Sequence, residues 1–496
     1  TVVKIPTHSA AIGNNYAKKP EFTVKLHILR CNQALFDPAI FVPAPFFGPK
    51  VPANSKEIFQ PRTSKNMMSR KNQLTAPIKK LSQLTALPRF LNPATLIQRQ
   101  QALKTKSRPA PAPRIDALDI PVRDTSIEQS ERSALEARGQ FLARQDRWED
   151  LGREIRDYDQ ARAVTAGGMS KADLIANGAR LDVVAPIRTA LSDPGLMRQH
   201  APRHGLRDFE QVLEDHPDDY GVALVVINAY IDAAWAWRGE GWSRDIAPDH
   251  WREFSLKMTR AGEILDRYSP FECDSPALAA TRCALLAAQQ SAGQRIADDY
   301  EDLIELDPAN SRHMRAFGNH LLPRWFGSYQ QLEIGARRAA AMTQDIWGMG
   351  GYAWTYLDAL TVDPNAITLL DADFFVEAMQ DILRRRPDQH TANTFAAFCA
   401  VTLRQDRFRT TDRSSAAKTL SDAFDWILRD HLREVHPLIW AMAKQGPEQN
   451  CDAPETIARD GETRALRRIA GHFDAEIRRG GRLVFAERGP RVTAPG

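Results

Sequence analysis

The chain has 496 residues and a formal net charge of +4, with 43% hydrophobic and 26% charged residues. That length holds one extended superhelix or two to three ordinary domains, with ample material for a buried core. The small net charge hides an asymmetry that excludes a uniform polymer: residues 1–115 carry 19 Lys and Arg against 3 Asp and Glu (+16), leaving 47 basic and 59 acidic residues (−12) beyond them.

Residues 1–115 also hold 14 of the 31 prolines, no tryptophan and one tyrosine, Tyr16. So basic and Pro-rich a segment buries too little apolar surface to offset its ordering entropy, which predicts a disordered arm. The first methionines are Met67 and Met68, and the expectation is that the native start lies there, residues 1–66 being translated upstream sequence or an expression remnant. Further along the arm, Leu74, Ile78, Leu81, Leu84 and Leu87 are spaced for one face among Lys79, Lys80 and Arg89. Residues 74–91 thus have the character of a segment that binds an anionic membrane surface, or of an organelle presequence, although Pro77 and Pro88 break any long helix and a solvated basic tail is the plainer reading. The dearth of aromatic stacking residues argues against specific nucleic-acid binding.

Arg108–Pro113 reads as a short polyproline-type linker, and a helical domain is expected over 116–496. The first hairpin spans about 125–160, turning at Arg144-Gln145-Asp146-Arg147-Trp148; the echo Arg404-Gln405-Asp406-Arg407-Phe408 predicts a second turn in which an aromatic again opens the following helix. Residues 222–237 are apolar almost all round, the mark of a central core helix rather than a membrane span, given Asn228 and Asp232. With no secretory signal read at either candidate start, the expected location is the cytoplasm. Five cysteines without a C-x2-C pair indicate neither a disulfide framework nor a zinc site; Cys283 and Cys399 are read as buried thiols.

A spaced motif organises the middle of the chain. Phe209, Leu213 and Pro217 stand 4 and 8 apart, as do Tyr300, Ile304 and Pro308, then Tyr356, Leu360 and Pro364, and Met379, Leu383 and Pro387. Asp307 before Pro308 is a good N-cap and proline suits a first helical position, so the pair reads as a joint between two helices. Tyr356, Ala359, Leu360 and Pro364 match the second helix of a tetratricopeptide (TPR) repeat. Two corners, Trp237-Arg238-Gly239-Glu240-Gly241-Trp242 and Arg324-Trp325-Phe326-Gly327-Ser328, give residues 205–360 a resemblance to a bacterial family of TPR-like proteins of unassigned function. The resemblance implies an all-α fold, an irregular TPR-like α-solenoid of stacked helical hairpins. The joint prolines lie 91, 56 and 23 residues apart, not multiples of 34, so some helices are expected to be unpaired or inserted.

Catalytic patterns do not emerge. His200 and His204 are separated by Pro202 and lack the glutamate of a helical zinc motif; His313 and His320 share a helix face but make only two ligands. Carboxylate pairs such as Asp218-Asp219, Asp298-Asp299 and Asp371/Asp373 are read at helix starts or on solvated faces. No metal or cofactor is expected. The expected role is a non-catalytic scaffold whose groove holds a protein or peptide, with basic partners favoured by the −12 domain, its own arm among them. The alternative is an enzyme or small-ligand receptor using the candidate binding residues Arg238, Trp242, Arg324, Trp325, Trp347 and Tyr352; the plainer account of these is that tryptophans fill gaps between hairpins while arginines cap helix ends.

Overall fold

In the computed structural model the described residues are 113–493, less 124–125, 193–203, 240–244, 290 and 446–453. The arm up to residue 112, with the proposed start at Met67 and the segment 74–91, lies outside them, as do Trp242, His200, Cys31 and Cys451. Helices dominate the described chain. The first seven are α1 (Ser126–Arg144), α2 (Trp148–Gln160), α3 (Lys171–Ser192), α4 (His204–Asp215), α5 (Tyr220–Arg238), α6 (Pro248–Leu265) and α7 (Pro276–Leu285). After them come α8 (Ala292–Leu306), α9 (Ser311–His320), α10 (Tyr329–Met342), α11 (Gly350–Val362), α12 (Ala372–Arg385), α13 (Gln389–Ala397) and α14 (Thr411–Asp422). The last are α15 (Pro437–Gln445), α16 (Pro454–His472) and the short α17 (Asp474–Arg478).

The turns follow from local chemistry. Between α1 and α2, Asp146 adopts φ 55°, a left-handed conformation that aspartate tolerates, and its carboxylate accepts the Trp148 indole N–H at 2.7 Å. The echo at 404–408 differs: Asp406–Phe408 is a 3-10 turn that ends in buried Phe408, and the next helix opens only at Thr411. The Asp-Pro joints also divide. Asp363 caps a turn that starts with Pro364, donated to by the Asn365 N–H at 2.9 Å. At Asp307-Pro308, however, the N-cap is Asn310 and α9 starts at Ser311, because Asp307 instead turns to His313 at 3.1 Å.

The most extensive helix pairs mix next-but-one partners, α1 on α3, α3 on α5 and α9 on α11, with neighbours, α5 on α6 and α15 on α16. Close approach is permitted by glycine. A Cβ on Gly178 would stand 1.9 Å from the Glu136 carbonyl oxygen, one on Gly139 would stand 2.0 Å from that of Ile175, and one on Gly318 would stand 1.7 Å from that of Thr355.

Two hydrophobic cores result. The first gathers α1–α7 around α5, whose Val222, Ala223, Val225, Val226 and Ile227 are wholly buried. By length and composition α5 is apolar enough to cross a membrane, and 72% of that window is buried inside the fold. The second gathers α8–α17 and is rich in aromatics, among them Phe317, Tyr352, Phe395 and Trp440. Cys283 and Cys399 are buried there, as expected.

A small sheet joins the ends of the described chain. β1 (Leu118–Asp119) runs parallel to β2 (Arg482–Ala486), which pairs antiparallel with β3 (Gly489–Thr493). Beyond β1, the Arg123 N–H donates to the Val435 carbonyl at 2.9 Å and the Val435 N–H to that of Pro121 at 2.8 Å. The Arg-rich stretch before β2 is divided: α16 stops at His472 and α17 at Arg478.

Candidate binding groove

Three helices and a corner converge on one concavity of about 180 Å3. From α8 come Gly293, Ile296, Ala297 and Glu301, a spacing of 3, 4 and 8 that defines one helix face. α10 supplies Gln331, Ile334, Gly335 and Arg338, again one face, and the end of α9 supplies Phe317 and Leu321. Phe326 and Gly327 close one side.

The corner sits this deep because its neighbours lack side chains. A Cβ on Gly293 would meet the Phe326 carbonyl oxygen at 2.8 Å, and one on Gly335 would meet Leu321 Cδ1 at 2.6 Å. Phe326 packs against both cores, so it marks the seam between them. The walls are apolar, and Ile334 is left 59% exposed, unusual for an isoleucine flanked by this much apolar surface.

Charge is confined to the rim. Arg338 Nη2 donates to Glu301 Oε2 at 2.6 Å, whereas Glu301 Oε1 is buried and accepts no hydrogen bond among the described residues. Burial raises the Glu301 carboxyl above its ordinary value; Arg338 opposes the rise, while Asp298 and Asp302 add to it. Asp302 is raised likewise, chiefly by burial; Arg282 opposes the rise, while Asp299, Glu305 and Asp298 add to it. Asp299, read as solvated, is in fact buried, with Arg295 Nη2 on Oδ1 at 2.9 Å.

The residues singled out from the sequence lie elsewhere. Arg238 is buried at the end of α5, its guanidinium over Trp235 at 5.7 Å and Trp251 at 5.6 Å, with Nη1 on the Gly239 carbonyl at 2.9 Å. Trp325 is buried beside His320 and Phe326, with Arg324 half-buried next to it. Trp347 donates to the Pro308 carbonyl at 2.8 Å and carries the Arg386 guanidinium over its ring at 4.4 Å. Tyr352 donates to Glu333 Oε2 at 2.7 Å and accepts the Asp371 N–H at 2.9 Å. Arg238 belongs to the first core and Trp347 and Tyr352 to the second, so they do not share a pocket. None of Arg238, Arg324, Trp325, Trp347 and Tyr352 lines the groove.

A larger cleft, about 290 Å3 and more open to solvent, is formed by Gln380, Arg384, Trp426, Asp430 and His431. His313 and His320 do not act together: His313 meets Asp307, and His320 Nδ1 meets the Tyr300 hydroxyl at 2.8 Å. Among the described residues no group of three or more His, Cys, Asp and Glu side chains is arranged to hold a metal ion.

The sequence reading missed the groove because it weighed tryptophan and arginine, the residue types that usually mark a site. The available signal was glycine: Gly335 stands inside α10, where glycine is unfavourable by about 1 kcal/mol relative to alanine and so calls for a steric reason, and Gly293 lies in the first turn of α8. No family model matches the chain, and no curated protein and no solved structure matches it.

Proposed function

We propose that the protein is a non-catalytic scaffold, an irregular TPR-like stack of helical hairpins that holds a protein or peptide segment in the groove between α8, α9 and α10. The observation that carries this reading is the convergence of single faces of three helices on an apolar concavity whose most exposed apolar side chain is Ile334. Packing of α1 on α3, α3 on α5 and α9 on α11, beside neighbour pairs such as α5 with α6, supports the stacked arrangement, since hairpins laid side by side bring alternate helices into register. A groove of this kind accepts an apolar anchor from a partner segment.

The test is affinity capture from source-cell lysate with the full chain and its Ile334→Asp variant. A stoichiometric protein retained by the first and lost by the second supports the scaffold reading. Identical retention by both removes the groove from the function.

A further inference from the structure

The described chain begins beside an arginine-rich surface. The turn at 404–408 is fastened to the C-terminal half of α15: Thr402 Oγ1 donates to the Ala443 carbonyl at 2.9 Å and Gln405 Nε2 to the same carbonyl at 3.3 Å. Arg464 of α16 reaches that helix too, with Nη1 on the Trp440 and Ala441 carbonyls at 2.9 and 3.2 Å. Two segments distant in sequence thus meet on one helix and bring Arg404, Arg409 and Arg468 together, all three exposed. Arg468 is lowered by burial and then by the charges of Arg404 and Arg409. Among the described residues Arg404 and Arg468 have no carboxylate partner, and Arg409 has only Asp406, at 3.5 Å in a pair open to solvent. The same face of α16 meets the first described residue: Arg464, Arg468 and Gly471 stand at i, i+4 and i+7, and a Cβ on Gly471 would lie 3.8 Å from Pro113 Cγ. Residues 67–112, which run into Pro113, carry nine Lys and Arg and no Asp or Glu.

We infer that Arg404, Arg409 and Arg468, with the basic sequence that joins the fold at Pro113, form a docking surface for an anionic lipid membrane. This goes beyond the scaffold reading and does not rest on it. Like charges gathered without acidic partners attract a surface of opposite sign, and guanidinium groups suit the phosphate and carboxylate of lipid headgroups. A lipid interface is favoured over a nucleic acid because apolar side chains accompany the charge. Leu74, Ile78, Leu81, Leu84 and Leu87 are spaced for one face among lysines, and Ile115, two residues past Pro113, is 39% exposed. The net −12 of residues 116–496 adds orientation: the same membrane repels the rest of the domain, so only this side of it can face the lipid.

Flotation of the full chain with phosphatidylcholine vesicles, pure or with about a third of the lipid replaced by phosphatidylserine, tests it. The variants are Arg404→Gln/Arg409→Gln/Arg468→Gln and a charge-matched control in the first core, Arg153→Gln/Arg207→Gln/Arg252→Gln. All six positions are exposed, and unchanged melting curves would show that both variants are folded. The wild type should float with the anionic vesicles alone, less so as salt rises. The first variant should bind them about tenfold more weakly or worse, and the control within about twofold of the wild type. Ile334→Asp should leave flotation unchanged, which keeps this outcome separate from that of the groove. Equal weakening of the two triple variants would reduce the effect to net charge and overturn the inference, as would wild-type protein that ignores anionic vesicles. Binding to a duplex oligonucleotide that needs the three arginines, without any preference for anionic over neutral vesicles, would overturn the lipid assignment.

Discussion

The two cores solve the burial problem with different materials. In the first, aliphatic side chains and alanine predominate around α5, with rings such as Phe209 and Phe254 among them, and helices approach backbone on backbone through Gly139 and Gly178. The second is built on large rings, several of which carry a polar atom into the interior, so it must also supply hydrogen-bond partners there. Asn393 shows how: fully buried, it donates to the Gln389 and Glu434 carbonyls at 2.8 Å each and accepts the His436 N–H at 2.9 Å and the Trp440 indole N–H at 2.8 Å. Aliphatic packing asks only for shape. Every buried ring with a polar atom adds a wiring requirement, which the second core carries more heavily, and a single unsatisfied atom there is expensive.

That difference is breakable at Asn393. Asn393→Leu leaves the Glu434 carbonyl, the His436 N–H and the indole N–H of Trp440 without a partner, and should destabilise the protein by about 4 kcal/mol, read as a lower denaturant midpoint. Next in size is overpacking of the first core. Gly178→Ala drives a Cβ into the Glu136 carbonyl and separates α1 from α3, an expected loss of about 3 kcal/mol. Hydrogen exchange would localise the damage; loss of protection in the aromatic core comparable to that in α1–α5 would show that the cores do not open separately.

Acid should move the two cores in opposite directions. Asp159, at the end of α2, is buried against Ser275 and the Ala277 N–H, and burial raises its carboxyl to about 6. The native state then binds more protons than the unfolded one between about pH 4 and 6, so this site opposes folding above that window and is relieved below it, by up to about 3 kcal/mol. His320, in the second core, is depressed by burial to about 4. Here the unfolded state protonates first, so stability is lost as pH falls from about 6.5 to 4, again by about 3 kcal/mol. His390 is lowered to about 4 in the same core, by burial and then by the His436, Arg312 and Arg315 charges. Between pH 7 and 5, protection should rise around α2 and α7 and fall around α8 and α9. Asp159→Asn should flatten the first trend alone; parallel trends in both cores would contradict the assignment.

How much was readable beforehand follows the same divide. The hairpin turn at Asp146, the core helix at 220–238 and the buried cysteines were legible because each depends on residues near in sequence. The Asp307-Pro308 joint was legible as a break but not in detail, since Asn310 sits close enough to cap α9 itself while His313 occupies Asp307. The pairing of 118–119 with 483–484 was not legible at all: two residues of strand carry no periodicity. Nor was the groove, whose walls come from three segments and whose depth depends on what Gly293 and Gly335 lack.

The sheet has a mechanical consequence. β1 runs parallel to β2, and β3 antiparallel to it, with Leu118 level with Leu483 and Val492. The chain entering β1 and the chain leaving β3 therefore emerge at the same end of the sheet. A force separating those two exits loads the strand pairs one rung at a time, as a peel, rather than all together in shear. Once the Ile115–Ala117 turn with its buried Ala117 is pulled away, Leu118 and Asp119 would be released next and the Val122–Val435 bridge after them, before the long helices of either core bear the load.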